Sequence, residues 1–189
     1  MLKGITYMKF TENLRKTVED YTIKIKKMDA EITDHQKNGI NTYSDAKYKE
    51  IALELSEQRN FLMSEAVSAV KKIIDEYKAE LPKRFIAKGN DLNAEDMALL
   101  SSGYKLTAAD VEAMFDRYAP DNHTMVRAVL DYAETHDLQI CRSYYGEKEK
   151  AAAADTLNTY AINCFSRPDY GMESEAYFAQ IFPEALAGD

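Results

Sequence analysis

Leu14, Val18, Tyr21, Ile25, Met28, Ile32 and His35 follow one another at alternating spacings of four and three residues. A repeat of this kind lays a narrow apolar seam along one side of an α-helix, and such a seam must be covered by another helix. The feature therefore predicts an all-α fold built on a coiled-coil-like hairpin. It points to assembly more than to chemistry.

Turn-forming residues are sparse, with seven Gly and four Pro in 189 residues. Long uninterrupted helices are expected rather than many short strands. The first helix is predicted over 11–37, ended by Asn38-Gly39 with Gly39 in the left-handed conformation. Ile23 and Ala30 fall on the far side of its wheel, which broadens the seam. A short loop over 38–43 enforces antiparallel packing with the next helix. That helix is predicted over 44–81, capped by Ser44 and stopped by Pro82. Its apolar positions are Tyr48, Ile51, Leu55, Leu62, Ala66, Val70, Ile73 and Tyr77. The expected hairpin spans 8–81, and its interaction seam comprises Leu14, Val18, Tyr21, Ile25, Met28, Ile32, Ile51, Leu55 and Leu62.

A basic stretch at Lys83, Arg84 and Lys88, broken by Gly89-Asn90, marks the best boundary. A compact bundle of short helices is expected over 92–189. Asn93 caps a helix to Leu100, and Thr107 with Asp110 opens another to Tyr118. Further helices are predicted over 121–135, 147–165 and 173–181, with a turn at 167–171. Residues 138–146 show no clear pattern.

Composition narrows function mainly by exclusion. The apolar fraction is 46% and the charged fraction 30%, an ordinary soluble profile. Between residues 8 and 80 there are 13 basic and 14 acidic side chains, while 81–189 carries 10 and 18. This acidic half repels phosphate backbones, so no nucleic acid partner is expected. The longest apolar runs are far shorter than the roughly 18 residues needed to span a bilayer. The beginning of the sequence reads as no signal peptide, and two cysteines make no disulfide scaffold, so a cytoplasmic location with reduced thiols is expected.

Candidate chemical residues are few. His35 continues the seam at a predicted helix end, His123 sits at a helix start, and His136 near a helix C-terminus is a natural dipole partner. His136, Asp137 and Cys141 come nearest to a metal cluster but lack an evident third ligand position. Cys164 falls on an apolar stripe with Leu157, Tyr160, Ala161 and Phe165, where a thiol is inert. No phosphate-binding glycine loop, nucleophile elbow or zinc-protease motif is present. The expectation is a chain without catalytic residues, metal or cofactor. The helix pair over 93–118 has the outline of a DNA-reading motif, yet it holds five acids against two bases. A regulator acting through that pair is the alternative to an assembly protein. Residues 132–182 hold 9 of the 20 aromatics, among them Tyr144, Tyr145, Tyr160, Tyr170, Tyr177 and Phe178. Such density suits a partly wet protein interface as well as a small core.

The long helical pair, followed by Leu99-Leu100-Ser101-Ser102-Gly103-Tyr104-Lys105-Leu106-Thr107-Ala108-Ala109-Asp110 and by His123-Thr124-Met125-Val126-Arg127-Ala128, resembles small helical proteins encoded in phages and prophages of Gram-positive bacteria. The resemblance spans about residues 10–140 and implies an assembly or virion-associated role. It brings no functional residues with it. A homo-oligomer joined through the hairpin is the expected state.

Overall fold

A computed structural model describes residues 8–119, 121–166 and 186. These are helical with no strand: α1 (Met8–Thr42), α2 (Asp45–Arg84), α3 (Ala94–Ser101), α4 (Ala108–Tyr118), α5 (His123–Thr135) and α6 (Glu147–Ser166), with a 3-10 turn at Gly89–Asp91. The predicted turn at 167–171, the predicted last helix and Tyr170, Tyr177 and Phe178 lie outside the described residues. No described helix is long and apolar enough to cross a membrane.

The chain divides into two compact units, one of Met1–Lys78 with Lys150–Asp189 and one of Ala79–Glu149. The sequence suggested a single bundle for everything after residue 92. Instead α6 joins the hairpin: its Phe165 meets Tyr21 edge to face at 6.2 Å, and its Asp155 binds Lys78 at 2.8 Å.

In the first unit α1 and α2 are antiparallel. Phe10 stacks on Tyr77 at 3.9 Å, Asp29 binds Arg59, and His35 stacks on Tyr48. Helix α6 thus touches both helices at the base of this hairpin, Lys78 of α2 near its start and Tyr21 of α1 near its end, and the three helices pack together there. Leu14, Ile25, Ala66, Val70, Leu157, Ala161 and Phe165 are wholly buried, as is nearly all of Ile74. At this turn of α2 the buried residue is Ile74, with the predicted Ile73 half-buried beside it. The third helix shifts the burial of α2 away from a strict two-stranded seam.

Two helix ends differ from expectation. Helix α1 continues through Asn38-Gly39 to Thr42, so His35 lies inside the helix. Gly39 serves close packing there: a Cβ on it would lie 2.7 Å from His35 Nδ1 and 3.2 Å from Tyr48 Cδ2. Helix α2 runs past Pro82 to Arg84. The Phe85 N–H still reaches the Leu81 carbonyl at 3.2 Å, as a proline in the last turn permits.

The second unit packs α4 against α5 around Val111, Met114, Phe115, Val126, Val129 and Ala133. Its helix starts follow the sequence. The Asn93 side chain accepts from the N–H groups of Glu95 and Asp96, and Thr107 with Asp110 forms a complete capping box. Helix α5 starts at His123, two residues later than predicted, with Asn122 as its cap. Helix α5 ends in a tight reversal in which Asp137 takes a left-handed φ of 53°. The N–H groups of Asp137 and Leu138 return to the carbonyls of Glu134 and Ala133, the paired bonds of a Schellman motif.

Candidate interaction surface

The candidate surface is the end of the hairpin farthest from α6. Along α1, α6 is met at Tyr21, close to its last described residue, Ser166. Beyond that level α1 and α2 continue as two helices only among the described residues. The consequence is visible in burial. Ile25, His35 and Gly39 are covered, while Met28, Ile32, Ile51, Leu55 and Leu62 remain half-buried. Of the predicted seam residues, Leu14, Val18 and Ile25 are fully enclosed, and Tyr21 is half-buried against Phe165. Large apolar side chains also stand in solvent here: Phe61 is 67% exposed, Ile40 66%, Leu53 62% and Ile23 59%.

Polar contacts fix this end. Arg59 Nε lies 2.5 Å from Asp29 Oδ1 and Nη2 lies 3.3 Å from Oδ2, joining the two helices. That partner raises the Arg59 pKa, first through the hydrogen bond and against the cost of burial. Nearer the turn, His35 Nε2 lies 3.0 Å from the Tyr48 carbonyl oxygen, to which it donates. The side chain expected at a helix terminus is therefore an interhelical fastener. Its signal in the sequence was Gly39, four residues on, which was read as a stop.

The remaining chemical candidates are built into the second unit's architecture. His136 Nδ1 donates to the Tyr132 carbonyl at 2.9 Å, and its ring stacks on Tyr132 at 4.0 Å. His123 is half-buried, stacked on Phe85 at 4.3 Å, with Tyr144 Oη 3.3 Å from its Nδ1. Burial raises the Tyr144 pKa. Cys141 is exposed and Cys164 buried. Among the described residues no group of three or more His, Cys, Asp or Glu side chains is placed to hold a metal ion.

Residues 138–146, without a sequence pattern, form a strap bound to α4. Leu138, Ile140 and Tyr144 pack on the core. Between them the Cys141 N–H donates to Glu112 Oε1 at 2.6 Å. Arg142 holds both carboxylate oxygens of Asp116 at 2.7 Å. This pairing pulls the Asp116 pKa down and pushes that of Arg142 up. Asp96 of α3 is taken by Arg117 at 2.7 Å and by the Tyr118 hydroxyl. Burial, then the bond to Asp96, raises the Tyr118 pKa. The acids of the 93–118 pair are thus largely structural, and the α4 face bearing Glu112 and Asp116 is occupied by the strap. No family model, curated protein or solved structure matches this chain.

Proposed function

We propose that the protein is a non-enzymatic assembly or protein-interaction module whose working surface is the free end of the α1–α2 hairpin. One observation carries this reading: the heptad seam continues beyond the reach of α6, with Met28, Ile32, Leu55 and Leu62 left half-covered. A seam of that kind is completed by further helices. The resemblance to phage and prophage helical proteins agrees with an assembly role. The alternative, a regulator reading nucleic acid through α3 and α4, has less support. A recognition helix needs a bare face and cations for phosphates, whereas α4 has Arg142 fastened over its acids.

The test is a photoreactive benzoylphenylalanine in place of Phe61, irradiated in the expressing cell. The expected result is a covalent adduct with a protein chain, identified by mass spectrometry. Recovery of unadducted chain alone would overturn the reading.

A further inference from the structure

We infer that the occupant of the hairpin's free end is a second copy of this chain, packed about a twofold axis so that two hairpin ends complete a four-helix bundle. This inference rests on the reading of that end as the working surface.

Charge argues for a copy of the same chain. The net charge of −8 lies in residues 81–189, with 10 basic against 18 acidic side chains, so two copies repel through that part of the chain. Residues 24–62 hold seven basic and seven acidic side chains. The hairpin over 8–78 is balanced as a whole, at 13 basic and 13 acidic side chains, so two copies can approach along it, this end included, without adding like charge. Both signs occur within each helix: Lys24 and Lys27 are followed by Glu31, Asp34 and then Lys37 on α1, and Lys47 and Lys49 precede Glu50, Glu54 and Glu57 on α2. All of these are exposed. A strongly basic or acidic partner would find no matching field here. A surface of balanced and interspersed signs can complement itself, which is what an isologous contact requires.

Size agrees. The stretch 24–42 rises about 27 Å at ~1.5 Å per residue, and two adjacent helices of ~10 Å diameter present a face about 20 Å wide. Each copy then offers on the order of 500 Å², or about 1,000 Å² in total, which is the threshold of a stable specific interface. The half-buried Met28, Ile32, Ile51, Leu55 and Leu62 supply apolar positions at coiled-coil spacing, with the exposed Phe61 beside Leu62 available to widen the contact. Such a contact is at the small end of its class, so the dimer should be concentration-dependent.

Light scattering on the purified full chain at micromolar concentrations tests the inference. The expected mass is twice 21.5 kDa. The variant Phe61→Glu changes an exposed position only, and should return the mass to that of one chain with unchanged circular dichroism. A monomeric parent protein, or a dimer indifferent to Phe61→Glu, overturns the inference. Photocrosslinking from position 61 of the purified protein is independent of how the variant folds. An adduct of doubled mass supports a second copy. An adduct at single-chain mass joined to residues 167–189 overturns it, since the chain's own C-terminal segment would then fill the surface. A monomer that crosslinks to a different protein in the cell overturns the second copy alone and leaves the interaction reading standing.

Discussion

The imidazole of His35 lies on the ring of Tyr48, centroids 4.5 Å apart and planes 18° from parallel, while its Nε2 donates to the carbonyl of the same residue. Gly39 makes room for this arrangement. In an unencumbered helix, Gly→Ala stabilises by about 1 kcal/mol. Here the added methyl meets two packed rings. Gly39→Ala is therefore expected to destabilise by about 1–3 kcal/mol, the usual range for overpacking. Urea unfolding should show a lower midpoint at unchanged slope. A gain in stability would mean that the His35 ring turns aside at little cost.

Tyr132 is a second fastener. Its hydroxyl donates to the Tyr104 carbonyl at 2.9 Å and accepts from the Leu106 N–H at 3.1 Å. Tyr132→Phe keeps the ring and strands both backbone groups, at a cost of about 1–3 kcal/mol. Helix content should persist, while exchange of the Leu106 amide hydrogen accelerates. Unchanged exchange at that amide would show that the hydroxyl does not hold the loop.

Two carboxylates should titrate low for separable reasons. Asp116 is held down chiefly by its hydrogen bonds from Arg142, and Asp110 by those from the Thr107 hydroxyl and N–H. Because both values fall on folding, each group stabilises the protein above the ordinary carboxylate pKa of about 4 and loses that contribution as pH falls through its depressed value. Carboxyl titrations by NMR should show Arg142→Gln moving Asp116 upward without moving Asp110, and Thr107→Ala doing the reverse. Joint movement in either variant would contradict the assignment.

The thiols should differ in the native state. Cys141 is exposed and should label rapidly, while Cys164, buried on α6, should label only on unfolding. Equal rates would show that the three-helix base opens readily.

Legibility followed locality. Asn93 and Thr107 announced their helices because a cap is written within four residues of sequence. Leu14, Val18 and Ile25 were legible because helical period and burial coincide there. Gly39 was misread because close packing and chain termination both call for glycine, and only the distant Tyr48 distinguishes them. The strap over 138–146 depends on partners such as Asp116, which lies 26 residues before Arg142, and no local period records such a pairing. The grouping of α6 with the hairpin was hidden for the same reason: Lys78 and Asp155 are 77 positions apart.

That separation has a consequence for the order in which the protein is made. The whole of Ala79–Glu149 stands between the hairpin and the helix that completes its base. A ribosome adding roughly 5–20 residues per second takes several seconds to cross such a stretch. Through that interval a nascent hairpin holds Tyr21 and Lys78 without Phe165 and Asp155, the α6 side chains that later pack on them. Neighbouring ribosomes on one message would then carry chains with open seams at the same moment, and pairing can begin before either chain is released.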